Sequence, residues 1–335
     1  MDQRRNLQYR SLFWPVILIG VGALWLLINL NIIVDVHWSI LWRMWPLLLI
    51  GIGLDLLIGR RSQIFGAMVG LLIVAMAFGG LVMAPSLGWS SEVDVITEQF
   101  SEPVGAAESA QVSLDLSVGP STVQRAVEET LLIEADITHV GEIDFDVSGD
   151  VEKVIRLRQI DPASGFEWVD FLDERDLRWD IGLTPSIPLD LNLNGGVGDS
   201  SLDLRELMLL DLDINVGVGD IVLRLPAMSE TYTADIDGGV GDIRIYIEPD
   251  TAMVLGVDGG VGDTIIELPS DAAVRVRADT GVGNIRLPSS FHRISGDSDN
   301  PVGEEGVWES DGFEDAERQI IITYNGGVGN LTVRN

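Results

Sequence analysis

Hydrophobic and polar positions follow two different rhythms along this chain, and the change falls near residue 90. Before it, three apolar runs dominate: LFWPVILIGVGALWLLINLNIIV at 12–34, ILWRMWPLLLIGIGLDLLI at 40–58 and IFGAMVGLLIVAMAFGGLVMA at 64–84. Apolar runs of about 20 residues suit the ~30 Å hydrocarbon core of a bilayer, so residues 1–89 read as an α-helical membrane anchor with three spans. A secretory signal would show one short apolar core and a cleavage site instead. After residue 90 the period becomes two. AQVSLDLSVG at 110–119, EADITHVGEIDFDVSG at 134–149 and PLDLNLNGG at 188–196 alternate apolar and polar residues, the pattern of half-buried strands. No segment there sustains a helical stripe, so the extramembrane part is expected to be all-β.

A glycine phrase punctuates that β region. GGVGD occurs at 195–199, 238–242 and 259–263, with VGVGD at 216–220, TGVGN at 280–284 and GGVGN at 326–330. The second glycines are Gly198, Gly219, Gly241, Gly262, Gly283 and Gly329, at intervals of 21, 22, 21, 21 and 46 residues. A fixed period in this range marks a solenoid or related array. Each unit reads as a strand, a tight bend and a second strand, several ending at a proline (Pro226, Pro249, Pro269, Pro288), which cannot continue a ladder in mid-sheet. The expected fold is a single-stranded β-solenoid-like stack over 191–335 with repeats of about 21 residues. Its glycines serve φ > 0 or close backbone approach, and its valines are expected to point inward. The 46-residue interval is expected to hold two periods and an irregular insertion at 289–318.

Charge divides the chain at the same place. Residues 1–89 hold 3 acidic and 6 basic residues, leaving 49 acidic and 15 basic residues after them. The formal net charge of −31 leaves no surplus of cations to displace counterions from phosphates, which excludes nucleic acid as a partner. Arg4, Arg5 and Arg10 precede the first run, and Arg60 and Arg61 separate the second from the third. By the positive-inside rule, three crossings place the β region outside the cytoplasmic membrane. Asp55 lies near the cytoplasmic end of the second run, where a carboxylate reaches the interface. The pairs Gly20/Gly22 and Gly51/Gly53, in the matching stretches WPVILIGVG and WPLLLIGIG, offer small-residue patches for helix approach.

Candidate chemistry is sparse. Asp199, Asp220, Asp242 and Asp263 follow the glycine bends and are calcium candidates, because hard cations take carboxylate oxygens. The nonapeptide calcium repeat spaces its aspartate differently and is much shorter, and two bends carry Asn instead, so the turn role leads and no metal is expected. There is no cysteine, no zinc-type histidine pair and no nucleophile elbow, so no enzyme activity and no cofactor are expected. Phe166, Trp168, Phe171 and Trp179 form an aromatic cluster suited to covering one end of the stack.

FWPVILIGVGALWLLINLNI and LWRMWPLLLIGIGLDLLIGRR resemble the membrane region of the bacterial LiaI/LiaF envelope-stress proteins. ITEQFSEPVGAAESAQVSLDLSVG and PSIPLDLNLNGGVGDSSLDL, within 90–190 and just beyond, resemble the N-terminal part of toast-rack domains. The terminal GGVGNLTVRN resembles the β-repeat region of the LiaF-like C-terminal domain. The resemblance implies a non-enzymatic, membrane-anchored accessory of cell-envelope stress sensing. Its partners would be the lipid bilayer and a sensor kinase or another envelope-stress protein. The alternative is a structural or adhesive surface scaffold that self-associates through its stacked strands.

Overall fold

The computed structural model describes residues 12–30, 45–54, 63–83, 95–160, 177–228, 230–296 and 303–335. They fall into two compact units, a helical one drawn from residues 1–93 and a β one built from 94–162 with 176–335.

The helices are Phe13–Asn29, Trp45–Leu54 and Gln63–Met83. Phe13, Ile17, Val69 and Ile73 bury one another. Gly51 lets the second helix approach Ile73 and Phe13, and Gly20 faces Val74. Gly22 and Gly53, the other members of the glycine pairs, have no neighbour within 4 Å of where a Cβ would stand. Leu18, Ile19, Trp25, Leu71 and Leu72 are exposed. Among the described residues no helix is long and apolar enough to cross a membrane. The helices overlap the three expected spans, but 31–34, 40–44 and 55–58, with Arg43 and Asp55, lie outside the described residues.

The β unit is all-β with two large sheets, one of ten strands and one of eleven. Its centre is a stack of coils, each a long strand, a bend and a short strand. In spatial order the long strands are Ser109–Val118, Pro188–Val197, Met208–Val218, Tyr232–Val240, Met253–Val261, Ile320–Val328 and Val274–Val282. All six neighbouring pairs are parallel. The short strands that follow them, Ser121–Arg125 through Ile285–Arg286, run parallel in the other sheet in the same order. Equivalent residues therefore stack on equivalents. Leu191, Leu212, Ala234, Leu255, Ile322 and Val276 form one buried column in the first sheet; Leu202, Leu223, Ile245, Ile266 and Val333 form one in the second. The core lies between the two sheets.

This order departs from the sequence reading in two ways. A seventh bend exists at Gly119, in LSVGPS, which the GVG pattern does not flag because serine and proline flank it. The last unit also does not follow the one before it. The chain leaves 274–286, forms the antiparallel pair Phe291–Ser295 and Glu305–Ser310 on the far side of Val274–Val282, and returns. It then threads 320–334 between 253–267 and 274–286. The 46-residue interval is therefore one coil out of spatial order, with the insertion lying over the end of the stack.

Further strands extend the stack beyond its first coil. Strands Glu152–Ile160 and Glu142–Ser148 extend one sheet beyond Ser109–Val118; Arg178–Leu183, Leu131–Val140 and Val95–Pro103 extend the other beyond Ser121–Arg125. The outermost pairings are antiparallel. Val95–Pro103 is a largely exposed edge whose glutamates are the kind of charge that discourages edge-to-edge pairing.

Candidate interaction surface: the bend column and the acidic face

At the six G-V-G bends the second glycine has φ between +144° and +156°, and Gly119 has φ +116°, a region that L side chains rarely adopt. Space forbids a side chain as well. A Cβ on Gly241 would strike the carbonyl of Gly219, and one on Gly262 the carbonyl of Gly241. The bends are thus backbone lying on backbone. Three hydrogen bonds join each step between the six G-V-G bends, as Gly219, Ile221 and Asp242 illustrate. Gly219 N donates to Val240 O at 2.9 Å, Ile221 N to Asp242 O at 2.8 Å, and Asp242 N to the Asp220 carboxylate at 2.8 Å.

That last bond defines what the bend aspartates do. Asp199, Asp220, Asp242 and Asp263 stand in one column, and each carboxylate accepts the amide of the next bend residue. The column continues through Asn330 and Asn284. Accepting the Asn330 amide and side chain holds the Asp263 carboxyl below its ordinary range. Among the described residues, no three His, Asp or Glu side chains are gathered so as to hold a metal ion.

Polarity runs along the column, and the capping residues match it. The glycine amide and the amide two residues after it point to the next coil, as Gly219 N and Ile221 N do, so at these positions the first coil has spare acceptors and the last has spare donors. At the first bend Trp179, fully buried, supplies both missing donors: its amide to Pro120 O at 3.0 Å and its indole Nε1 to Val118 O at 3.2 Å. Pro120 occupies the aspartate position where no preceding carboxylate exists to accept an amide, so its missing N–H costs nothing. At the last bend Glu304, from the insertion, accepts Ile285 N through Oε2 at 3.2 Å and Thr280 N through its carbonyl at 3.0 Å. The end-covering role expected for Trp179 fits this position; Phe166, Trp168 and Phe171 lie outside the described residues.

The valines between the glycines do not point inward as expected. Val197, Val218, Val240, Val261, Val282 and Val328 are between 46% and 53% exposed and form an apolar ridge along the bends. The corner leaves them no room, because residues such as Ile243 already fill it: a Cβ on Gly238 would meet the Ile243 side chain.

The sheet faces carry opposite character. The four strands Pro188–Val197, Met208–Val218, Tyr232–Val240 and Met253–Val261 contain six aspartates and no Lys or Arg. Asp213 stands beside Asp235, Asp190 beside Asp211, and Asp237 beside Asp258, at a strand spacing of ~4.8 Å. Asn215 donates to Asp213 at 2.9 Å and Asn325 to Asp258 at 2.7 Å, which relieves only part of the repulsion. Burial, then the neighbouring aspartates, push the carboxyls of Asp211, Asp235 and Asp237 above their ordinary value. On the other sheet, several charges are paired. Arg205 bonds Asp203 through two nitrogens at 2.8 and 2.7 Å and lowers its carboxyl pKa, while Arg224 lies over the Tyr246 ring at 5.2 Å.

Comparison with known proteins finds two family matches along the chain. Residues 12–57 match the LiaI-LiaF-like transmembrane region, and residues 90–246 match the N-terminal domain of toast_rack, DUF2154. Along the chain, a stretch similar to the LiaI-LiaF-like transmembrane region therefore precedes one similar to the N-terminal domain of toast_rack. No curated protein matches it. A solved structure from Clostridium sporogenes, described as a candidate cell adhesion protein, is similar to 72% of this chain and 99% of its own, with 20% identity and a TM-score of 0.50. Another, a candidate adhesin from Bacteroides fragilis, covers the same shares with 14% identity and a TM-score of 0.37. At these identities the first likeness speaks to the fold alone, and the second carries no argument.

The acidic face of the β unit is not singled out by the sequence, because its aspartates are scattered over 190–258 and only the parallel register gathers them. The signal was present in the repeat itself: a 21-residue period superimposes any residue on its copies. The raised carboxyls bear on stability through a definite sign. A carboxyl with a raised folded pKa favours the fold when protonated, so its contribution is complete below 3.8, the unperturbed value, and is lost as pH rises through the folded pKa. Asp235→Asn should therefore raise the melting temperature at pH 7, with the gain shrinking toward zero as pH falls to about 3. Asp263→Ala, removing a carboxylate whose pKa is lowered, should instead destabilise most at neutral pH. Thermal unfolding of both variants across pH 3–8 checks the pair; a gain for Asp235→Asn that does not depend on pH would contradict the repulsion argument.

Proposed function

We propose that this protein is a non-enzymatic, membrane-anchored accessory of bacterial cell-envelope stress sensing. It modulates a two-component sensor kinase through contacts of its membrane helices and its β domain. The observation that carries this reading is the joining, in one chain, of a LiaI-LiaF-like transmembrane region and a toast-rack domain. In this reading the anchor crosses the cytoplasmic membrane three times. The β-solenoid stands on the outer side, and its acidic face and valine ridge offer contact surface without any catalytic group. Gly22 and Gly53, whose Cβ positions are open, are where a partner's helix would approach most closely.

A second reading is favoured by one observation, the fold shared with a candidate cell adhesion protein: a surface scaffold that self-assembles without a signalling role. A photo-reactive residue placed at Gly22 or Gly53 in cells separates the two. The regulator reading expects adducts with a membrane histidine kinase, whereas adducts with further copies of this chain alone would support the scaffold. Orientation is tested independently: protease added to intact cells stripped of their outer barriers should degrade residues beyond about 90 and leave the anchor, and protection of the β domain would place it on the cytoplasmic side.

A further inference from the structure

The seat on top of 253–267 is filled by 320–334, yet the chain first meets that seat with 274–286. The interval from Gly262 to Gly283 is 21 residues, the same as from Gly198 to Gly219 and from Gly241 to Gly262. The core positions of either unit suit the seat. Ile322 or Val276 can stand beside Leu255, and Leu331 or Ile285 beside Thr264, because each pair already shares a column. The bend residue carries a sharper sign. The four bends from Asp199 to Asp263 have Asp, and the two units able to sit on Asp263 both have Asn. Asn330 donates to the Asp263 carboxylate through its amide at 2.8 Å and its side chain at 2.9 Å. Asn284 makes the same two-donor contact one step further on, with both bonds to Asn330 Oδ1 at 3.2 Å. A second donor is of most use facing a carboxylate, and Asn284 faces none in the observed order.

One core position separates the candidates. Tyr324 stands between Val257 and Ala278, with its ring against the space left by Gly326 and Gly259, and burial raises its phenol pKa. Ala278 alone would leave that volume empty, so 320–334 fills the seat better.

We infer that the stack has two orders. In the inserted order, seen here, 320–334 lies between 253–267 and 274–286. In the closed order 274–286 rests directly on 253–267, the terminal hairpin moves in by one strand spacing, ~4.8 Å, and 320–334 is released as a free strand pair with exposed apolar positions. The closed order has one fewer coil interface and lacks Tyr324 in the core, so it is the minor state. It is also the order the chain reaches first, since 274–286 precedes 320–334 and meets an open parallel edge.

The absence of cysteine and the half-exposed valine ridge provide the test. In the inserted order Val261 and Val282 flank Val328, two strand spacings apart at ~9.6 Å and beyond disulfide reach of about 7 Å. In the closed order they are neighbours. In the full chain, Val261→Cys/Val328→Cys should oxidise rapidly within one molecule. Val261→Cys/Val282→Cys should also oxidise within one molecule in the absence of denaturant, about 10- to 1000-fold more slowly, as a minor state of ~0.1–10% requires. The locked product should expose 320–334 to protease. Gly327→Val obstructs only the inserted coil, because a Cβ there would meet the Gly260 carbonyl; it should speed the slow pair by about tenfold or more. Two results would overturn the inference. One is a 261/282 pair that stays reduced with and without Gly327→Val while the 261/328 control closes. The other is a 261/282 pair that closes only as denaturant unfolds the whole domain.

Discussion

The β unit depends on one constraint: backbone must lie on backbone at the bends. Where a Cβ at Gly241 or Gly262 would overlap the preceding coil's carbonyl, only glycine permits stacking at the strand spacing. Once that contact is made, the phase of every following residue is set. Apolar residues fall into columns between the sheets, each strand is held on both sides, and the amides of each bend find the carbonyls of the next. The same polarity dictates the ends. Trp179 donates to the acceptors left over at the first bend, and Glu304 accepts Ile285 N at the last.

Stacking in register treats all residues alike, with opposite consequences for apolar and charged ones. A column such as Leu202, Leu223, Ile245, Ile266 and Val333 gains from contact between copies. A column of aspartates suffers from it. At the bends the cost is offset, because each carboxylate accepts an amide from the next coil and Asp263 is held ionised. On the sheet face Asp211, Asp235 and Asp237 have no such arrangement, and their carboxyls titrate high. A protein of net charge −31 thus keeps one face acidic, while Arg205 and Arg224 on the opposite face are engaged with Asp203 and Tyr246.

Much of this was legible in the residues. The period of the GVG phrase and the alternation around it announced two-stranded coils with apolar columns, and the Trp–Pro-led runs announced the membrane region. Four features were not legible, for physical reasons. The bend at Gly119 hides behind Ser117 and Pro120, because a first coil needs no amide at the aspartate position. The valines were expected inside, since a β-branched residue in a strand usually packs, but Ile243 and its equivalents take the space. The place of 320–334 between two earlier coils is a matter of pairing partners, which local pattern does not encode; Tyr324 opposite Ala278 is its only trace. The acidic face exists only once coils 21 residues apart are superimposed.

The most direct test of the stacked-backbone account is amide hydrogen exchange at the bends themselves. Surface bends ordinarily exchange within the fast range of loops, and these carry half-exposed valines. If the glycine corners are interlocked as described, the amides of Gly219, Gly241, Asp220 and Asp242 should exchange among the slowest in the domain, near the rate set by global unfolding. If they exchange as fast as the turn at 126–131, the coils do not rest on one another at the glycines, and the periodicity requires another cause.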